Sequence, residues 1–352
     1  MAHSKHNLTI FDWNILAPMW INIEEYMQRD GDLNLLHKDK RLLLVIDRII
    51  QYDADIITLQ EVQEDQYIDI CEELFHKYHS LGHTQHDKNY WTEWLADDCT
   101  VMRNGQATFV RKGLFNVLDK HEFGTSEDGN VCQIVTLQFS HCESHDGIFI
   151  LVNCHLESGM IDWKHKTRAG QVLKIHGEIV AMMKKYGKED SPTVIFLGDF
   201  NTFGNQLGMR EMRKQGYIDI EKMMCNTIRP TFIIVVTEDG QEEGIQLDHI
   251  FLLKSQVYSG KISVKKFEVP NVASTEYDNG NHKSTILSAF SRRLERKNIT
   301  QETALLDSRQ SDLLNHVSPS RDDFKETNPL RALRIGSDHL PLFVELDMQS
   351  CK

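Results

Sequence analysis

The sequence predicts a layered α/β domain, and three observations carry that prediction. Short apolar runs, each adjoining a polar residue, recur along the chain and are typical of buried strands. Segments with apolar residues at helical spacing lie between these runs. Two further runs, 106–111 and 130–139, alternate as antiparallel strands do. Strands that alternate with helices pack as layers of sheet and helix.

The predicted strands follow the pattern of residues 194–197. There Val-Ile-Phe-Leu meets Gly198, Asp199 and Asn201, and the continuous apolar run indicates a strand buried on both faces. The polar residues at the end of this strand need a hydrogen-bonding partner or a function. Asp, Asn and Gly also close turns, so this stretch alone is as typical of a simple turn as of a functional site. The other apolar runs are 8–13, 56–59, 148–152, 250–253 and 342–346.

Helices are predicted at 40–52, 67–78 and 168–186, where one stripe of apolar residues faces a core. A polar segment, 275–334, contains two further amphipathic patterns; these are 284–297 and 300–316. This segment joins two candidate site regions, so we interpret it as an insertion near the site. It forms either a lid that selects substrate or a surface decoration.

Composition places the chain among globular proteins. Of its 352 residues, 40% are apolar and 26% charged, and no apolar run is long enough to span a bilayer, so no membrane role is expected. No export or organelle signal is visible at the N-terminus, so the expected location is the cytoplasm, with the nucleus as an alternative. The net charge of −13 opposes a protein that coats duplexes but is compatible with a nuclease.

The seven cysteines are scattered and contain no CxxC motif, which indicates reduced thiols. Two histidine clusters, His83 with His86 and His141-Cys142 with His145, have the spacing of half a zinc site. Neither has a matching second half in the sequence, so a metal role for them is not favoured.

Polar residues suited to catalysis or metal binding follow or precede the predicted strands. A carboxylate at the end of a buried strand is costly unless it is paired or binds a metal. Oxygen ligands without a His/Cys cluster select Mg²⁺ or Mn²⁺. Amides can orient a phosphate, and histidines titrate near neutrality. The residues are the carboxylates Glu61, Asp199, Asp248 and Asp338, the amides Asn14 and Asn201, and the imidazoles His155 and His339.

Six ordered motifs resemble those of the endonuclease/exonuclease/phosphatase superfamily. They are WNILA (13–17), LQEV (59–62), NCHLES (153–158), GDFN (198–201), QLDHIF (246–251) and GSDHLP (336–341). The resemblance implies a DNase I-like, four-layer α/β sandwich of two packed mixed sheets flanked by helices, with a helical insertion before the last motif. A site assembled from both ends of the chain implies one domain, 1–352, with 275–334 inserted in it.

The resemblance also implies roles for the residues. Glu61 resembles the principal metal ligand, supported by Asn14, with Asp338 near the metal. Asp199 resembles an acid/base residue that shares proton transfer with His339, and Asp248 resembles the carboxylate that fixes that imidazole. The substrate-facing residues by the same resemblance are Asn201, which orients a phosphate, His155, which bonds the scissile phosphate, Asn14, and the pair Arg168 and Gln171 of an R-x-x-Q pattern.

Within the superfamily, the sequences of the motifs are most similar to those of the branch of CCR4-type deadenylases, nocturnin-like enzymes and 2′,5′-phosphodiesterases. The similar stretches are WNILAPMW, LQEVQEDQY and GQATFVRKG. We therefore hypothesise a Mg²⁺-dependent hydrolase, with Mn²⁺ as the alternative cation, that acts by in-line attack of water on RNA or a short nucleotide phosphodiester. One form of this hypothesis is a 3′-end exonuclease.

The alternatives are a phosphomonoesterase, a lipid or inositol phosphodiesterase, an abasic-site DNA endonuclease and a catalytically dead binding scaffold. The fifth motif, QLDHIF, lacks the Trp-Cys-Asp-Arg stretch typical of phosphoinositide phosphatases. It half matches the Arg-Leu-Asp-Tyr stretch of abasic-site nucleases, whose basic DNA-binding face is opposed by the net charge. A dead scaffold is disfavoured because all six motifs keep their polar residues.

Overall fold

The computed structural model describes ten stretches of the chain. These are residues 4–20, 38–85, 104–126, 129–142, 147–159, 161–187, 191–224, 229–235, 242–269 and 339–350. The predicted insertion 275–334, its two helices and the lid hypothesis lie outside the described residues, as do Asp338, His86 and His145.

Six strands form the first sheet, which is mixed. Its strands, in chain order, are β1 (Ser4–Asn14), β2 (Ile56–Gln63), β3 (Tyr78–Gln85), β4 (Asn104–Arg111), β13 (Ile262–Glu268) and β14 (Leu342–Ser350). The spatial order is β13-β14-β1-β2-β4-β3. Only β1 and β2 pair in parallel, and the other neighbours in this sheet are antiparallel.

The second sheet also has six strands. They are β5 (Phe115–Gly124), β6 (Val131–Phe139), β7 (Ile148–His155), β8 (Thr193–Asp199), β9 (Tyr217–Asp219) and β12 (Asp248–Leu253). The spatial order is β5-β6-β7-β8-β12-β9, and only β7 and β8 are parallel. A separate two-stranded ribbon joins β10 (Phe232–Val235) to β11 (Glu242–Ile245).

Helices cover the outer faces of both sheets. They are α1 (Lys38–Tyr52), α2 (Glu64–Leu74), α3 (Asp162–Tyr186), α4 (Leu207–Lys214), α5 (Ile220–Met224) and α6 (Lys254–Tyr258), with a 3₁₀ turn at Pro18–Trp20. The Tyr52 ring of α1 contacts Phe11 of β1, while Ile175 and Ile179 of α3 share a buried cluster with Phe196 of β8. The predicted four-layer sandwich is confirmed. No described helix has the length and apolarity to cross a bilayer.

The predicted elements agree with the structure in kind and differ at their ends. The helix predicted at 67–78 ends at Leu74, because Tyr78 starts β3 and its hydroxyl donates to the Ala54 carbonyl. The sequence patterns did not reveal strands β3, β5, β9, β10, β11 and β13 or the short helices α4, α5 and α6. Strand β5 lies at a sheet edge with most side chains at least partly exposed, so it lacks the apolar run that marks a buried strand.

Strand register brings the polar strand ends to one edge of the sandwich. Asn14 pairs with Gln60 across β1 and β2, and His155 pairs with Asp199 across β7 and β8. Asp248 is the first residue of β12, but β12 runs antiparallel to β8, so Asp248 also pairs with Asp199. These ends therefore meet, as the motif order implies.

The end of β8 is both a turn and part of the site. Gly198 has a φ of 129°, and a Cβ there would lie 2.0 Å from the carbonyl oxygen of Cys154 on the neighbouring strand. Asn201 is left-handed, with a φ of 47°, and its backbone N–H donates to Asp199 Oδ1 at 2.9 Å. The backbone is thus not extended beyond Asp199. One carboxylate oxygen closes the turn, and the other faces the site.

A buried polar layer lies between the two sheets beneath that edge. Asp12 Oδ1 accepts hydrogen bonds from Thr58 Oγ1 and Gln60 Nε2, both at 2.8 Å, and Gln60 also donates to Asn153 Oδ1 on the opposite sheet. Asp12 Oδ2 has no hydrogen-bond partner within the described stretches. Burial, the first cause, and the charges of Asp248 and Asp199 raise the pKa of Asp12 to about 8. Asp12 is therefore neutral at pH 7.

Replacing Asp12 with asparagine is expected to stabilise the protein relative to wild type, by an amount that grows as pH rises. The folded pKa of about 8 exceeds the ordinary 3.8, so the wild-type contribution is present below pH 3.8 and is lost as pH rises towards 8. The free energy of unfolding of Asp12→Asn, minus that of wild type, should rise by about 1.4 kcal/mol per pH unit between pH 5 and pH 7. Urea unfolding across this range measures it, and a difference independent of pH contradicts the buried neutral carboxyl.

Candidate active site

Two carboxylates share one amide at the centre of the candidate site. Asn14 Nδ2 donates to Glu61 Oε1 at 3.0 Å and to Asp199 Oδ2 at 2.9 Å. The other oxygen of Glu61 accepts from the Ala17 backbone N–H at 3.0 Å, and Asn14 Oδ1 accepts from the Leu16 N–H. The strand and the loop after it therefore hold two acidic groups side by side, largely out of water.

Left-handed backbone is concentrated here. Among the described residues, non-glycine residues with positive φ are Leu16 at 52°, Asp53 at 49°, Glu61 at 54° and Asn201 at 47°, and three of these adjoin the site. Glu61 sits where the β2–β4 register shifts between Leu59 and Val62, so a bulge turns its side chain. Such conformations cost about 1–3 kcal/mol each and cluster at functional sites. This strain is independent support for the site.

His155, the last residue of β7, brings an imidazole to the two carboxylates. Its Nε2 lies 3.4 Å from Asp199 Oδ2 and 3.8 Å from Glu61 Oε1. The neighbouring strand β6 is linked to this strand end through Asn130, just before β6, whose Nδ2 reaches the His155 carbonyl at 3.4 Å. The Nε2 atom of His155 thus faces both carboxylates at the site.

Asp248 and His339 form a buried carboxylate–imidazole pair. His339 Nδ1 lies 2.8 Å from Asp248 Oδ2, so the carboxylate accepts the Nδ1–H and Nε2 is directed to the site. Nε2 lies 3.9 Å from Asp199 Oδ2. Asp248 Oδ1 is buried and has no hydrogen-bond partner in the part of the chain that the structure describes. The pair implied by the motifs is therefore assembled from chain segments 91 positions apart.

Backbone contacts that the sequence did not reveal hold this pair. Thr231 Oγ1 accepts from the N–H groups of Leu247 and Asp248, both at 3.0 Å, and the Thr231 carbonyl accepts from Leu340 N–H. Trp13 donates its indole N–H to the His339 carbonyl at 2.8 Å. Trp13 belongs to the WNILA motif, but no sequence signal distinguishes Thr231.

A second buried pair, also missed, supports the turn that carries Asn201. His249 Nδ1 lies 2.8 Å from Asp219 Oδ2, and Nε2 lies 3.0 Å from the Thr202 carbonyl. Burial lowers the pKa of His249, but Asp219 and the Thr202 carbonyl outweigh it, and the net pKa is raised. Both ring nitrogens face acceptors, so the imidazolium form satisfies both. The only signal was a histidine inside the QLDHIF motif.

Asn201, which follows β8, and Arg168 and Gln171 of α3 contact the loop that follows His155. Asn201 Nδ2 donates to the Leu156 carbonyl at 3.1 Å. Arg168 is buried and donates to the Glu157 and Gly159 carbonyls at 2.8 and 2.7 Å, and Gln171 Oε1 accepts from the Glu157 N–H. These contacts make the three residues organisers of the loop. Their direct contact with substrate stays a prediction.

The donor set fits a hard divalent cation. One group of ligand atoms within 4.8 Å of each other comes from Glu61, His155 and Asp199, and a second comes from Asp199, Asp248 and His339. The oxygens of Glu61 and Asp199 converge on one amide nitrogen, a concentration of negative charge that a cation relieves. Carboxylate oxygens favour Mg²⁺ or Mn²⁺ over softer ions. Asn14 turns its amide nitrogen to the carboxylates, so its own ligation of a metal stays a prediction.

A comparison of the sequence with protein-family profiles gives a match over most of the chain. Residues 13–339 match the sequence profile of the Endonuclease/Exonuclease/phosphatase family. Curated proteins give no significant sequence match. The match begins at Trp13 and ends at His339, so it includes the described site residues from Asn14 to His339.

Several solved structures share the fold. The human nocturnin catalytic domain, solved with bound sulfate, is 16% identical over 98% of this chain and 97% of its own, with a TM-score of 0.60. ANGEL2, a 2′,3′-cyclic phosphatase solved with adenosine-2′,3′-vanadate, is 14% identical over 99% of both chains, with a TM-score of 0.59. A mannosyl-6-phosphatase of Bacteroides thetaiotaomicron is 18% identical over 96% of this chain and 99% of its own, with a TM-score of 0.56.

Proposed function

Because the chain belongs to the endonuclease/exonuclease/phosphatase family, we propose that it is a divalent-metal-dependent phosphoester hydrolase and that Mg²⁺ is its cation. The observation that carries the proposal is the shared Asn14 amide, which holds Glu61 and Asp199 together with two imidazoles facing them. Water attack on a phosphoester needs a place for the metal, a proton acceptor and a donor to the phosphate, and these side chains supply all three.

Glu61 and Asp199 are the residues that would hold the cation, with Asp338 and Asn14 as the further ligands implied by the motifs. Bound there, Mg²⁺ supplies Lewis-acid polarisation of the phosphoryl group. The protein's own contribution is rigid placement. The Ala17 N–H fixes one Glu61 oxygen, and the Asn201 N–H fixes one Asp199 oxygen. A single oxygen of each carboxylate is left to face the reacting atoms.

Proton transfer is assigned jointly to Asp199 and His339. Asp199 Oδ2 and His339 Nε2 lie 3.9 Å apart, close enough to act on the same water or on the attacking and leaving oxygens. Asp248 holds Nδ1–H and stabilises the imidazolium when Nε2 takes up a proton. His155 donates from Nε2 to a phosphoryl oxygen, and the fixed loop at Asn201 orients the phosphate. The roles of Asp199, His339 and His155 are supported by atoms that lie together at the site, and the role of Asn201 comes from the motif resemblance.

The substrate we propose is an RNA-like phosphodiester or a short nucleotide. The similarity of the motifs to those of the deadenylase-like branch supports it, as does the fold shared with ANGEL2, which was solved with an adenosine derivative. A phosphomonoester is the second candidate, favoured by the fold shared with a mannosyl-6-phosphatase. The net charge of −13 favours a short or single-stranded substrate over a long duplex.

A substrate panel tests the proposal. The purified chain is assayed with poly(A), 2′,5′-oligoadenylate, abasic duplex DNA, NADP(H), mannose 6-phosphate, inositol phosphates and sphingomyelin. We expect turnover of an adenosine-containing substrate that EDTA abolishes and Mg²⁺ restores. Glu61→Ala and His339→Ala should both remove it, whereas the exposed control variants Glu72→Ala and His79→Ala should not. Turnover that survives EDTA or the Glu61 variant contradicts the proposal.

A further inference from the structure

Two histidines and a cysteine meet at the end of the sandwich opposite the active site. His6 lies near the start of β1 in the first sheet, and His141 and Cys142 follow β6 of the second sheet. Asn14 is at the other end of β1, roughly 25 Å away at about 3.3 Å per residue. The cluster is therefore separate from the catalytic groups and joins the two sheets.

The separations within the cluster suit one metal ion. His141 Nε2 lies 2.8 Å from His6 Nδ1, and Cys142 Sγ lies 3.7 Å from His6 Nε2, so these two contacts use different nitrogens of the His6 ring, of which one binds the ion. One ligand atom from each residue falls within 4.8 Å of the others. With Zn–N near 2.0 Å and Zn–S near 2.3 Å, tetrahedral ligands are about 3.5 Å apart. The exposed His141 ring has room to turn towards such an ion.

The surroundings hold two of the three ligands in place. His6 is buried, and its ring stacks on Phe139 with centroids 4.6 Å apart. Gly147 has a φ of 73°, and a Cβ there would lie 2.8 Å from Cys142 Sγ. Glycine thus leaves the space that the sulfur occupies, and a larger residue would displace it.

We propose that His6, His141 and Cys142 bind Zn²⁺ or a similar thiophilic first-row ion. Imidazole and thiolate ligands select such ions over Mg²⁺, which the active-site carboxylates favour. In the sequence, His141 and Cys142 belong to a cluster with the spacing of half a zinc site. The other half is His6, which is 135 positions from His141 along the chain and adjacent to it in the fold. The bound ion links the sheets at the end remote from catalysis.

Cobalt substitution tests the site with the full chain under reducing conditions. Thiolate ligation of Co²⁺ produces a near-ultraviolet charge-transfer band, which carboxylate ligation at the active site does not. We expect this band with one equivalent of Co²⁺, its loss in Cys142→Ser and its weakening in His141→Asn. The matched control is Cys71→Ser, a partly buried cysteine on α2, which should keep the band.

Zinc should also stabilise the wild-type fold. At a hundredfold excess of free Zn²⁺ over Kd, the melting temperature should rise by about 4 °C in wild type and in Cys71→Ser, but not in Cys142→Ser. Serine at the partly exposed position 142 is compatible with folding, which circular dichroism verifies. The proposal is overturned if wild type shows no thiolate band, or if Cys142→Ser retains both the band and the shift.

Discussion

Replacing Asp199 with asparagine is expected to lower kcat on the substrate identified by the panel by at least about a thousandfold. The variant keeps an oxygen for the Asn201 N–H, so the turn after β8 should persist. It loses the charge that faces Glu61, His155 and the proposed cation. Because Asp199 lies within reach of both imidazoles, its loss removes the proposed metal-binding oxygen and the proposed proton acceptor together. Steady-state kinetics in saturating Mg²⁺ measures the effect.

The control for this variant is Asp119→Asn, which makes the same chemical change on edge strand β5, where Asp119 pairs with Lys185. It should leave kcat within about twofold of wild type. Equal melting temperatures for the Asp199 variant and wild type establish that a loss of activity is not a loss of fold. An Asp199→Asn enzyme within tenfold of wild type contradicts the role assigned to this carboxylate.

Gly198→Ala is expected to destabilise the protein by more than about 4 kcal/mol. The added methyl group would meet the Cys154 carbonyl oxygen at 2.0 Å, and the carbonyl carbon and the backbone nitrogen of Cys154 lie 3.0 Å away. Cys154 is on β7, which is paired on both sides, so neither backbone can move without breaking a ladder. A φ of 129° is also unfavourable for alanine. Urea unfolding measures the loss.

Gly177→Ala supplies the matched control. Gly177 lies on the exposed face of α3, and a Cβ there meets nothing within 4 Å. Alanine in a helix interior should stabilise it by about 0.5–1 kcal/mol. Opposite signs for the two substitutions are expected. A Gly198→Ala protein within 1 kcal/mol of wild type would show that the close approach of β7 and β8 is not needed.

The parts of the fold predicted from sequence are those where the pattern is local. The run 194–197 is apolar because β8 is buried on both faces, and its register places Asp199 opposite His155 and Asp248. The helix predicted at 168–186 was correct in kind, but it begins at Asp162, whose first turn carries no apolar stripe. Edge strand β5 carries mostly exposed residues, so its sequence resembles a loop.

The parts of the site that escaped prediction depend on contacts across the chain. Thr231 bonds to the backbone of Leu247 and Asp248, and a threonine in a connecting segment has no pattern that indicates this. The left-handed conformation of Glu61 follows from a register shift between β2 and β4, which local sequence does not encode. His249 was visible only as a neighbour of Asp248. The motifs therefore predicted which residues meet at the site, while the contacts that support those residues were visible only in the fold.

The central claim is that Glu61, Asp199 and His339 surround one divalent cation. An anomalous difference map from crystals soaked in Mn²⁺ tests it most directly. We expect a peak about 2.1–2.2 Å from a Glu61 carboxylate oxygen, beside Asp199 and facing His339. A map with no manganese among these three residues, or with Glu61 and Asp199 too far apart to approach one ion, would contradict it.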